Sequence, residues 1–174
     1  MFLGLVAAFL QTFARLRLGI PGHAALVWLV PVLVARCVAR TSGAASISTT
    51  STALGLYAFG GFTLRWPLVV SFGTYWLVGP VLDLYVLLIG GLAARGEGRG
   101  ARLAWLFVPL AGVVGNYAHL ALKLLFGAMG RHAPGLGLPS GLYEAATYLV
   151  FGLAAGVVAY GLSATALACK RRWS

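Results

Sequence analysis

Residues 79–91 read GPVLDLYVLLIGG, an apolar run that carries one carboxylate, Asp83, in a chain with only three acidic residues. Followed outward, the run stays apolar from about 68 to 94, enough to cross about 30 Å of hydrocarbon as a helix, which takes roughly 20 residues. The same texture fills the rest of the chain. Its 174 residues are 60% hydrophobic and 9% charged, which speaks against a water-soluble globular domain. A transmembrane β-barrel would show short segments of alternating polarity, whereas here Ala, Gly and Leu come in blocks. The reading is an all-α, polytopic membrane protein, with 1–174 forming one integral membrane domain.

Short basic or Gly/Pro-rich breaks divide the chain into six spans, at about 1–14, 22–39, 44–64, 68–94, 103–129 and 141–168. The first is short for a full crossing and is expected to sit tilted or shallow. It lacks the basic start and small-residue cleavage site of a signal peptide. The hydroxyl-rich stretch TSGAASISTTST (41–52) fits either a loop or the start of a closely packed helix, because small residues let backbones approach in lipid. RWP (65–67) stops the third span, since the residue before proline avoids helical geometry. Pro80 is expected to kink the fourth.

Orientation follows from the basic residues, which concentrate on the cytoplasmic side of a membrane protein. Loops after the second, fourth and sixth spans hold Arg36, Arg40, Arg95, Arg99, Arg102, Lys170, Arg171 and Arg172, eight against the four (Arg15, Arg17, Arg65 and Arg131) on the other side. Both termini are therefore expected in the cytoplasm, in a multi-pass protein of the plasma or inner membrane. The net charge of +10 is accounted for by this distribution and follows no nucleic-acid-binding motif.

Polar residues inside spans are costly, roughly 2.5–3.5 kcal/mol for a central Asp, Lys or Arg, so they turn toward the bundle interior or a cavity. In the fifth span, Asn116, His119 and Lys123 recur at three and four residues and share a face. In the sixth, Tyr143, Glu144, Thr147 and Tyr148 fall within two turns. Both groups lie in the outer half, at the depth of Thr74, Tyr75 and Trp76, and Glu144 is expected near Lys123 or His119. These residues compose either an outward-facing small-molecule pocket or a structural polar cluster.

Chemistry beyond binding finds no motif. The chain has no GxSxG elbow, no paired carboxylates and no phosphate-binding glycine loop followed by Lys-Ser/Thr, so it reads as a non-enzyme without a cofactor. His23, His119 and His132 lack metal-ligand spacing, and Cys37 and Cys169 make no CxxC pair. Small-residue pairs at four-residue spacing, Gly4 with Ala8, Gly112 with Asn116 and Gly152 with Gly156, suit close helix contacts.

The six-span layout, the small-residue pattern of the first helix, and the stretches GIPGHAALVWLVPVLVAR (19–36) and GPVLDLYVLLIGG resemble the substrate-binding S components of energy-coupling factor (ECF) transporters. The resemblance implies a subunit that captures a vitamin-like or other small organic micronutrient outside, associates with a membrane scaffold and two ATPase subunits, and topples in the bilayer to deliver its load. It implies a pocket at Trp76, Asn116, His119, Lys123, Tyr143, Glu144 and Tyr148. It also implies a docking surface on the first helix, where Gly4 and Ala8 stand at the positions of an Ala-x-x-x-Ala pattern. Without a Walker motif, any ATP hydrolysis falls to the partners. A non-catalytic accessory subunit bracing a larger membrane complex fits the same surfaces, and a lipid-modifying enzyme would need a nucleophile or metal site that the sequence does not display. Asp83, placed toward the inner half of the fourth span, is expected to meet Arg36, Arg102 or a backbone amide freed by Pro80 in a structural rather than a substrate contact.

Overall fold

The computed structural model describes residues 1–13, 20–39, 41–59, 68–94, 99–129 and 138–172, with side chains over 1–13, 20–39, 41–59, 72–89, 105–126 and 141–168. The described residues are all-helical: α1 (Phe2–Phe13), α2 (Ala25–Ala39), α3 (Ala44–Ala58), α4 (Leu68–Trp76), α5 (Val78–Ala94), α6 (Arg99–Met129) and α7 (Leu138–Arg172). Among the described residues three segments are long and apolar enough to cross a membrane: Phe72–Ile89, which runs through the α4–α5 junction, Trp105–Phe126 and Gly141–Ala168. α1 and α2 are apolar but shorter. At 1.5 Å per residue, the 12 residues of α1 reach only about 18 Å.

The fourth expected span is two helices. Pro80 has no N–H to give the carbonyl four residues back, and that carbonyl belongs to Trp76, the last residue of α4. Thr49 Oγ1 of α3 donates to it instead, at 3.3 Å. The helix therefore breaks at Leu77, just before Pro80, while Leu77 N–H still bonds the Gly73 carbonyl at 3.0 Å. Gly79 allows α3 to reach this break, because a Cβ there would lie 2.5 Å from Ser46 Cα and collide with Thr49 Oγ1.

The hydroxyl-rich stretch proves to be helix. Thr50, Ser51 and Thr52 return their hydroxyls to the carbonyls of Ser46, Ile47 and Ser48 at 2.7, 2.8 and 2.9 Å, which satisfies them inside a packed helix at the cost of some helix strength. α3 ends at Ala58, with Phe59 as its C-cap, so the expected continuation over 60–64 lies outside the described residues.

At the other end of α3, Gly43 is the N-cap with φ 83°, a left-handed conformation that glycine adopts without penalty, and it has no side chain to cap with. Asp83 of α5 takes over that role. Its carboxylate accepts from the N–H groups of Ala45 and Ser46 at 3.2 and 2.8 Å and from the Ser46 hydroxyl at 2.6 Å. An anion at the first turn of a helix is favoured by the exposed N–H groups and the helix dipole. Arg36 of α2 completes the arrangement: its Nε lies 3.2 Å from Asp83 Oδ1 without hydrogen-bond alignment, so the attraction is coulombic. The amides that hold Asp83 thus come from α3 rather than from the chain around Pro80, and the Arg102 side chain lies outside those described.

Helix directions alternate. Gly4 and Ala8 of α1 pack on Ser48 and Gly55 of α3 in the same order, so these two run parallel, whereas Pro109 and Val113 of α6 meet Gly156 and Gly152 of α7 in reverse order. α2 is the central helix, buried on every side from Trp28 to Leu33. The α6–α7 seam is backbone on backbone. A Cβ at Gly152 would lie 2.8 Å from Val113 Cα, one at Gly112 would lie 2.8 Å from Gly156 N, and one at Gly156 would strike Pro109. In hydrocarbon, where apolar burial between helices gains little, such close approach is a main source of association.

Gly4 and Ala8, the residues of the expected docking surface, pack within the chain. Both are buried: a Cβ on Gly4 would collide with the Ser48 carbonyl, and Ala8 Cβ occupies the space above Gly55. Thr52 Oγ1 also donates to the Gly4 carbonyl at 3.1 Å. The small-residue face of α1 is therefore covered by α3 of the same chain.

Candidate functional site

The end of the bundle away from Asp83 gathers a cluster of rings and polar groups. Trp28 of α2, Tyr75 of α4 and His119 of α6 form a mutual ring cluster, with centroids 5.3 Å apart for Trp28–Tyr75, 5.3 Å for Trp28–His119 and 5.0 Å for Tyr75–His119. The Trp28–Tyr75 contact is edge-to-face at 83°, the arrangement that ring quadrupoles favour. Gln11 of α1 donates through Nε2 to the Tyr75 hydroxyl at 3.3 Å, and His119 Nδ1 lies 3.4 Å from the Thr74 carbonyl. Four helices thus meet at three rings and one amide.

Each placement has a local cause. His119 is carried on the α6 face that also holds Asn116, one turn earlier. Tyr75 stands just before the α4–α5 break. Trp28 projects from the most enclosed part of α2, where it is 0% exposed, and its Nε1 has no acceptor among the described residues. A buried N–H left without a partner costs about 1–3 kcal/mol, so the cluster contains an unspent hydrogen-bond donor. Indole N–H is donor only, which defines what it can receive.

The residues expected to line a pocket separate into two groups. Asn116 and Tyr148, 1% and 4% exposed, sit inside, where Asn116 Nδ2 donates to the Tyr148 backbone carbonyl at 2.8 Å. Tyr148 also packs on Gly22, whose added Cβ would lie 3.1 Å from the ring. Beside them Tyr117 donates to the Ala145 carbonyl at 2.7 Å and His23 meets the Phe151 ring edge-on at 6.4 Å. The Asn116 and Tyr117 bonds join α6 to α7, and the Gly22 and His23 contacts join α7 to the turn before α2. Trp76 and Tyr143, in contrast, are 44% and 54% exposed, and Lys123 is exposed as well. Glu144 is half-buried, and among the described residues no ion pair joins it to Lys123 or His119. Of the seven, His119 enters the ring cluster and Asn116 and Tyr148 support it from the side.

Two members of the cluster carry no signal in the sequence reading. Trp28 lies in the uniformly apolar run ALVWLVPVLV, where no polar neighbour marks it, and Gln11 is a lone amide in the short first helix. The choice of Trp76 over Tyr75 illustrates the same difficulty: adjacent helical residues point about 100° apart, and the register that decides between them is set by the break at Leu77. Among the described residues no group of three His, Cys, Asp or Glu side chains comes together as a metal site.

No family model, curated protein or solved structure matches this chain.

Proposed function

We propose that the chain is the substrate-capture membrane subunit of an ECF-type ABC uptake transporter, binding a vitamin-like or other small organic micronutrient in a site open to the outside. In this reading six spans cross the plasma membrane, with α4 and α5 together forming one of them and both termini in the cytoplasm. The protein performs no chemistry of its own; a scaffold subunit and two ATPase subunits supply the energy for release.

The observation that carries the proposal is the Trp28–Tyr75–His119 cluster with its unpaired indole N–H. Polar and ring-bearing side chains held at one level by four different helices are a costly way to build a membrane core and an economical way to build a binding site. Alternating helix directions support successive crossings, and in this reading Asp83 and Arg36, at the end opposite the cluster, lie toward the cytoplasm. The alternative is a non-catalytic accessory subunit bracing a larger membrane complex; α3 covers Gly4 and Ala8, so in either reading a partner would meet a different face of the chain.

Affinity purification from detergent-solubilised membranes, followed by mass spectrometry of proteins and small molecules, separates the two. The uptake reading expects a bound organic compound together with a membrane scaffold and ATPases. Stable recovery with an unrelated membrane complex and no compound would replace it with the accessory reading.

A further inference from the structure

We propose that the end of the bundle marked by Arg36 and Asp83 is a recognition surface for anionic phospholipids, carried by the basic residues at the start of α6 and the end of α7. The inference stands apart from the uptake reading and applies to whichever leaflet this end meets.

Helix register brings the charges together. Pro109 and Val113 of α6 meet Gly156 and Gly152 of α7, and continuing that antiparallel register by helical rise brings Arg102 level with Ser163 and Arg99 level with Ala166. From there α7 runs on for about 6–9 Å, at 1.5 Å per residue, to Lys170, Arg171 and Arg172. Arg36 belongs to the same end. Gly22 and His23, just before α2, lie beside Tyr148 and Phe151 of α7, so α2 and α7 run parallel and Arg36 also comes level with Ser163.

The chain has too few carboxylates to neutralise this end from within. Of its three, Asp83 is taken by Arg36 and the first amides of α3, and Glu144 lies near the start of α7, at the opposite end. Glu97 alone remains for the five cations on α6 and α7. Anionic headgroups supply the missing charge, because they attract basic residues close to the membrane surface and their phosphates accept paired bonds from guanidinium.

The surroundings suit a lipid rather than a free anion. Trp105 of α6 and Tyr160 of α7, level with each other in the same register, are exposed, and such rings gather at the boundary between hydrocarbon and headgroups. On one side of that boundary Leu106 and Leu110 of α6 and Leu153, Val157 and Val158 of α7 are exposed, a surface for acyl chains. On the other, at the level of Arg99 and Arg102, α7 exposes Gly161, Ala164, Thr165 and Ala168, and a Cβ on Gly161 would meet nothing within 4 Å. Small side chains at that depth leave room for a headgroup beside the charges.

The test titrates delipidated protein in mild detergent with phosphatidylglycerol, phosphatidylcholine of the same acyl chains, and glycerol 3-phosphate, reading bound molecules by native mass spectrometry. Phosphatidylglycerol is expected to bind about tenfold or more tightly than phosphatidylcholine, a preference that shrinks as salt is raised. Arg99→Gln combined with Arg102→Gln, and separately Lys170→Gln combined with Arg171→Gln and Arg172→Gln, should each lower phosphatidylglycerol affinity about tenfold or more. Lys123→Gln, which removes an exposed charge at the opposite end, should keep the wild-type preference. The inference is wrong if the two lipids bind alike, or if both folded variants retain the preference. It is also wrong if glycerol 3-phosphate displaces the lipid at equal concentration, which marks a site for a soluble anion, or if an acidic protein co-purifies in place of lipid and is lost in the same variants. Where one variant fails to fold, the other variant and the salt dependence of the wild type decide.

Discussion

Asp83 spans three relationships at once: it holds the first turn of α3, faces Arg36 of α2 and belongs to α5. Its charge is tolerated because three donors and a guanidinium surround it, so removing the charge strands the others. Asp83→Asn retains one acceptor oxygen but turns an NH2 toward existing donors, and it leaves Arg36 without its counter-ion. We expect a loss of about 2–4 kcal/mol in stability, read as a lower midpoint of thermal unfolding in detergent. Combining it with Arg36→Met should cost clearly less than the sum of the two single changes, because the second removes a charge that is already unpaired. Asn116→Leu is expected to cost about 0.5–2 kcal/mol through its lost bond to the Tyr148 carbonyl, measured in the same way. That Asp83 needed a partner was legible from its place in an apolar run, and Arg36 could be named from depth. The amides of Ala45 and Ser46 could not, because the sequence left open whether 41–52 was helix or loop.

At the level of helices, glycine spacing identified the tight seams but not what they touch. Gly152 and Gly156 on α7 meet α6 within the chain, and Gly4 on α1 meets α3; spacing alone is equally compatible with a partner subunit. Substitution distinguishes seam from surface. Gly156→Val should destabilise by about 3 kcal/mol or more, since its side chain would have to displace the Pro109 backbone. Gly161→Ala on the same helix, where an added Cβ meets nothing within 4 Å, should be neutral or stabilising by up to about 1 kcal/mol. Parallel thermal melts of the two variants check the contrast. The α4–α5 break was half legible: Pro80 announced a disruption, but its position at Leu77 follows from the N–H that Pro80 cannot give the Trp76 carbonyl and from Thr49 supplying a substitute. Boundaries blurred where hydroxyls replaced apolar side chains, because Ser and Thr can satisfy either a turn or a helix.

For the whole molecule, composition is enough to indicate helices in a membrane, while the number of crossings depends on how short helices such as α1 sit. Single-cysteine accessibility tests the proposed orientation in a background with Cys37 and Cys169 replaced. In intact cells a membrane-impermeant thiol reagent should label Pro134→Cys, between α6 and α7, and spare Glu97→Cys, between α5 and α6, until the membrane is opened. The reverse pattern would invert the molecule and place the ring cluster on the cytoplasmic side. The cap of α3 has a consequence for biogenesis. The ribosome releases α3 well before Asp83 exists, so the newly made helix enters the membrane with its first N–H groups unpaired and its Ser46 and Thr49 side uncovered. Its final seating must wait for α5, which makes α3 a client for whatever shields half-finished membrane proteins. Nascent chains arrested before residue 83 should remain crosslinked to the insertion machinery through α3, and chains extended past α5 should be released.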